Sequence, residues 1–277
     1  MPIDQPGVEH QIIAFLDNED SETIDNPIHS TAVAQRYGFD GPLVGGVTTW
    51  GWCTPAILEA LGDEWLDHGW AEFRFRRPIY PDNPISIRLS PHEDTSNVFD
   101  LTMTNGDSVD CVVGAVGLGD GAWINDFTTP GRMDPAPSPT PRPDLRLDPA
   151  LIGQDWTPQL LSASVEELQD YATASHRLDD DRFIGLQPRI HPAWLAARAE
   201  RIMRHNFSMP TSIHTESRVQ YLAPAWAGQS ISVGAHCLDV FERKGRHLIR
   251  FDCLIRGEDG TDLARLRHTT IFKQATD

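Results

Sequence analysis

A chain of 277 residues with 40% apolar side chains is long enough for one large or two medium globular domains, and it contains no apolar run of membrane-spanning length. Its net charge of −17 excludes nucleic acid and anionic membranes as main partners, since both demand a basic footprint, but leaves open a small anion held by local arginines. The opening residues Met1-Pro2-Ile3-Asp4 carry no basic, apolar leader, and Cys53, Cys111, Cys237 and Cys253 lack metal-finger or CxxC spacing, so buried free thiols in a cytoplasmic protein are expected.

In chain order, the first landmark is the polar loop Asp25-Asn26-Pro27-Ile28-His29. Gly38-Phe39 follows, and then Pro42-x-x-Gly45-Gly46 opens an apolar helix predicted over 45–61. Strand-like runs come next at 71–77, 85–89, 98–104 and 109–116, with Asn105-Gly106-Asp107 as a hairpin signal. Residues 130–149 hold seven prolines, which remove amide donors and favour an extended linker, placed at 131–157. Beyond it, Pro188-x-x-His191-Pro192 opens a second helix predicted over 191–205. Further strand runs fall at 216–222, 231–239, 248–255 and 264–272, with a turn at Gly257-Glu258-Asp259-Gly260.

The halves repeat. Pro42 matches Pro188, Glu72-x-Arg74 matches Glu216-x-Arg218, and the strand at Pro84 matches that at Ser230, at offsets of 144 to 146. A repeat of this length predicts a duplicated domain, 1–130 and 158–277, each an α+β unit of one long helix and an antiparallel sheet. Exposed antiparallel edges predict a homodimer.

Asn26-Pro27-x-His29 together with Gly38-Phe39 and Pro42-x-x-Gly45-Gly46 resembles the hydratase motif of the MaoC-like (R)-specific enoyl-CoA hydratases and dehydratases. The resemblance implies a double hot-dog fold in which a sheet wraps each central helix. It implies hydration of 2-enoyl-CoA thioesters or the reverse dehydration, with an acyl-CoA thioester as partner, no cofactor and no metal. By position it assigns catalysis to His29 and Gly46, with Asp25, one residue away from the place of the family's aspartate, as the candidate carboxylate. An imidazole beside a carboxylate can trade a proton with water near neutral pH, and amides at a helix N-terminus can stabilise the thioester oxygen as charge builds there. Asn26 and Gly45 would shape the substrate site, and Arg189, Arg198 and Arg218 are candidates for CoA phosphates.

Two departures stand out. The family's aspartate precedes Asn by two residues, where this chain has Ile24, and Asp25 sits one residue later. The second half lacks the Asn-Pro-x-His loop, and Pro192 has no N–H to offer an oxyanion, so this half is expected to complete the binding tunnel. His191 stands where the family has its His-Gly histidine and is a candidate substrate contact, or with Asp179, Asp180 or Asp181 a second site. An acyl-CoA thioesterase and a catalytically silent acyl-thioester-binding subunit are the rival functions on the same fold.

Overall fold

The structure, a computed structural model, describes residues 6–16, 25–93, 95–162 and 164–273. Ile24 lies outside the described residues. One ten-stranded antiparallel sheet organises the chain, in the order β1-β3-β4-β5-β2-β7-β10-β9-β8-β6. The first half supplies β1 (Val8–Ile13), β2 (Gly69–Phe75), β3 (Pro84–Pro91), β4 (Val98–Asn105) and β5 (Asp110–Leu118). The second supplies β6 (Gln159–Ser162), β7 (Ile213–Tyr221), β8 (Ser230–Arg243), β9 (Arg246–Gly257) and β10 (Asp262–Lys273). Adding five to each strand number of the first half reproduces the order of the second, read inward from its outer edge. The duplication predicted from the offsets is therefore a duplication of topology. The edge strands β1 and β6, short and rich in polar residues, were the ones the sequence patterns did not reveal.

The halves meet where β2 pairs with β7, and the repeated Glu-x-Arg motifs face each other there, Glu72 opposite Arg218 and Arg74 opposite Glu216. Strand alternation points Ile85, Ile87 and Leu89 of β3 and Phe99, Leu101 and Met103 of β4 inward, all nearly fully buried. They pack around helix α2 (Gly46–Leu61), whose Trp50, Cys53, Ala56 and Ile57 are sealed from solvent. Trp50 meets Phe73 of β2 edge to face at 4.1 Å. Two shorter helices precede and follow it, α1 (Thr31–Arg36) and α3 (Trp65–His68).

In the second half α4 (Val165–Asp170) runs into a π-turn over Tyr171–Ser175. The single helix predicted over 191–205 is two pieces, α5 (Pro192–Ala196) and α6 (Arg198–Asn206). At their junction the Arg198 side chain folds back and its Nε donates to the Trp194 carbonyl at 2.9 Å, an acceptor that continuous helix geometry reserves for the backbone. The proline-rich segment is more than a spacer. Leu145 N donates to the Ser208 carbonyl and Ser208 N to the Pro143 carbonyl, Ser138 Oγ donates to the His205 carbonyl at 2.7 Å, and Leu145 and Trp156 enter the core. No helix among the described residues is long and apolar enough to cross a membrane.

Candidate active site

His29 closes a short 3-10 turn, Pro27–His29, begun by proline at its favoured first position. Its Nδ1 lies 2.6 Å from the Leu43 carbonyl. A carbonyl can only accept, so Nδ1 carries the proton and Nε2 keeps a free lone pair. The ring rests on Gly45, where a Cβ would come within 3.3 Å of His29 Cε1. Burial lowers the histidine pKa, the bond to Leu43 and the Glu200 carboxylate oppose that, and Arg204 adds to it.

Gly45 and Gly46 begin α2, and no side chain caps that end. The first backbone bond of the helix runs from Thr49 N to Gly45 O, so the amides of Gly46, Val47 and Thr48 have no intrahelical acceptor. Gly46 is required sterically as well. A Cβ there would lie 2.4 Å from His214 Nδ1, inside any tolerable contact. The result is an uncapped, positively polarised helix end flanked by two imidazoles.

Two cavities meet at this point. One of about 340 Å³ is lined by Phe39, Leu43, Gly46, Phe75, His214 and His268. The other, about 710 Å³, is lined by Phe15, Leu16, Leu161, Tyr171, Trp194 and Arg198. Asn26, His29, Gly45 and Glu200 border both.

The carboxylate that acts electrostatically on His29 and lines the same cavities comes from the opposite half. Glu200 of α6 receives Ser212 Oγ at 2.5 Å and Arg204 Nε at 2.7 Å, both on Oε1. Asn26 locks the same network from the other side. Its Nδ2 donates to the Ser212 carbonyl at 2.8 Å and to Ser212 Oγ at 3.1 Å, and its Oδ1 accepts from Ser212 N at 3.2 Å. Asn26, expected as a substrate contact, thus spends its amide on a clasp between the halves. Asp25 reaches Arg201 at 2.5 Å, with 61% of its side chain exposed, and is not among the charges that act on His29. It borders the larger cavity but is not paired with the imidazole.

The other predicted positions separate. Arg198 lines the larger cavity, stacked 3.6 Å above the Trp194 ring, and its burial without a strong ion pair brings its pKa down to about 10. Arg189 pairs with Asp67 and covers Trp226, Arg218 forms an ion pair with Glu72 at 3.2 Å across the β2–β7 seam, and neither borders the two cavities. The charges of both, candidates for CoA phosphates by sequence, tie secondary structure together here. His191 also borders neither cavity. It is fully buried, its Nδ1 accepts the Ala193 amide at 3.2 Å, and its ring stacks on His176 at 4.6 Å. None of Asp179, Asp180 and Asp181 contacts it; Asp180 bonds Arg182 instead.

His214 and His268 were not recognised from sequence as site residues. In β7 and β10, His268 lies opposite Ser217, and the register then shifts so that Thr270 faces His214. The extra residue on β7 is Thr215. Strict alternation would turn His214 away from the Ser217 face, and the bulge turns it back. The two rings consequently lie 4.2 Å apart, with Phe75 4.4 Å beyond His214. His268 Nδ1 meets Ser217 Oγ at 3.2 Å, while Nε2 of both histidines is buried without a protein partner. Burial holds both rings neutral, with His268 brought down to about 4 and His214 well below its ordinary value. Among the described residues no group of three or more His, Cys, Asp or Glu side chains could hold a metal ion.

Sheet topology, paired helices and a site at the junction of two halves define a double hot-dog protein. No protein-family model and no curated protein matches the chain. Solved structures do. A MaoC-like dehydratase is 15% identical across 97% of this chain and 98% of its own, with a TM-score of 0.60. A conserved hypothetical protein from Mycobacterium tuberculosis, described as having a double hotdog fold, is 13% identical across 90% of this chain and 86% of its own, with a TM-score of 0.52. A protein described as an oleoyl thioesterase from Lactobacillus plantarum is 11% identical across 98% of both chains, also with a TM-score of 0.52.

Proposed function

We propose that the protein hydrates 2-enoyl thioesters to 3-hydroxyacyl thioesters, or catalyses the reverse dehydration. The observation that carries this reading is the position of His29. Its proton is committed to the Leu43 carbonyl, its Nε2 is free, and it sits on Gly45 at an uncapped helix N-terminus where two cavities meet. In the hydration direction, water attacks the β-carbon and gives its proton to His29 Nε2. The thioester oxygen gathers negative charge against the amides of Gly46 and Val47. The imidazolium then gives a proton to the α-carbon and returns to the neutral ring, and the Glu200 carboxylate, which helps hold His29 basic, stabilises the ring while it is charged. In this reading Glu200 takes the role that the sequence motif assigned to Asp25.

The thioesterase reading needs the same base and helix end with water directed at the carbonyl carbon, and the likeness to the Lactobacillus plantarum protein favours keeping it as the second reading. Incubation of the pure protein with crotonyl-CoA separates the two. Loss of enoyl absorbance with the thioester intact is the expected outcome. Release of free thiol would assign hydrolysis, and absence of both across a panel of enoyl thioesters would leave a binding subunit.

A further inference from the structure

The arginines around the two cavities differ in a way that orients a thioester between them. In the larger cavity the cations are already engaged: Arg201 by Asp25, Arg204 by Glu200, and Arg198 flat on Trp194 with its Nε on a carbonyl. The smaller cavity is bordered by Arg76, Arg77 and Arg246, all exposed, and among the described residues none of the three forms an ion pair. Three uncommitted cations at one mouth are notable in a chain of net charge −17. Deeper in that cavity lie the unpartnered Nε2 atoms of His214 and His268. A buried polar atom without a partner is costly, so these two mark a place where a ligand's hydrogen-bonding groups belong.

Resting on the acyl-thioester reading, we propose that the smaller cavity receives the phosphopantetheine arm, with its phosphate end at Arg76, Arg77 and Arg246, and that the larger cavity receives the acyl chain. Pantetheine carries amides and a hydroxyl, which match neutral imidazole nitrogens without charging them. A carboxylate would not, since both rings resist protonation. The thioester then falls between the lobes, beside His29 and the start of α2. The acyl chain passes along Phe15, Leu16, Leu161 and Trp194, the apolar side of a cavity that Asp25, Glu167, Arg198 and Arg201 also line, and this side is continuous with the core.

Equilibrium binding of saturated thioesters tests this without any turnover, so its failure is distinguishable from failure of the hydratase reading. Butyryl-CoA, butyryl-phosphopantetheine and butyryl-pantetheine are titrated into wild type and into the variant combining Arg76→Ala, Arg77→Ala and Arg246→Ala. The expected result is about a 10-fold loss of butyryl-CoA affinity, as for partly exposed charge pairs, with butyryl-pantetheine unchanged. A loss shared by butyryl-phosphopantetheine places the arm's own phosphate on the arginines and admits carrier-protein substrates. A loss confined to butyryl-CoA would overturn the placement of the arm's phosphate at these arginines and move them to the nucleotide. Leu161→Trp should weaken octanoyl-CoA while leaving free CoA unchanged. Equal losses for all three butyryl ligands, no loss for any, or weakening of free CoA by Leu161→Trp would each overturn the orientation.

Discussion

Helices α2 and α5 begin at equivalent places in the two halves, yet one end is open and the other is closed. At α2 the capping position is Gly45 and the next residue is Gly46, so three amides face the cavities without a side-chain partner. At α5 the same positions are His191 and Pro192. The imidazole accepts the Ala193 amide, and proline has no amide to present. The parallel extends one step further. His29 lies on Gly45, and His176, 147 residues later, stacks on the His191 ring. A histidine against a glycine leaves Nε2 facing space that a substrate can fill. A histidine against a histidine leaves a packed, neutral pair, with burial pulling His176 down to about 4 and His191 well below its ordinary value. Whether a helix end stays open thus depends on the capping residue and the one after it, Gly45-Gly46 against His191-Pro192, rather than on the fold.

The most direct way to break this contrast is His29→Ala. It should lower kcat/KM for an enoyl thioester by about 10²–10⁴-fold, the usual worth of a general acid–base group, with little change in melting temperature. Full activity in that variant would move the reaction away from the first half. Next comes Glu200→Gln, expected to cost about 10²-fold. The carboxylate raises the His29 pKa, so its removal should also shift the acid limb of the kcat/KM profile to lower pH. An unmoved limb would mean that Glu200 is only part of the clasp.

His191→Ala tests the closed end. It should leave kcat/KM unchanged and cost about 1–2 kcal/mol of stability, since it removes a cap. The same pair predicts acid sensitivity. His176 and His191 have folded pKa values below those of the unfolded chain, so the unfolded state takes up protons first as pH falls. Their contribution to stability should be complete above pH 6.5 and lost as pH falls, for His176 progressively toward about pH 4 and for His191 in the same direction, measurable by denaturant titration. The smallest effect is expected from Asp25→Asn. It removes an exposed pair with Arg201, worth about 0–1 kcal/mol, and should change activity by less than about threefold. A loss as large as that of Glu200→Gln would restore Asp25 to the reaction.

Much of this architecture was legible along the chain, because it rests on local chemistry and on repetition. Offsets of 144 to 146 announced two like halves, the apolar run after Pro42 placed α2 to within one residue, and Asn-Pro-x-His followed by Gly-Gly marked a loop and a helix end meant to meet. What the chain could not show by itself is how distant segments share one cavity. Glu200, 171 residues further along, lines the same cavities as His29 and raises its pKa, held by a clasp between Asn26 and Ser212. His214 enters the site because a single bulge at Thr215 reverses the alternation of β7, and His268 arrives opposite it on β10. Asp25 stood nearer in sequence, but its side chain turns to solvent and Arg201. Periodicity and capping are short-range properties that residue order states directly. Which carboxylate shares a desolvated space with an imidazole depends on packing between halves, and only the tertiary structure decides that.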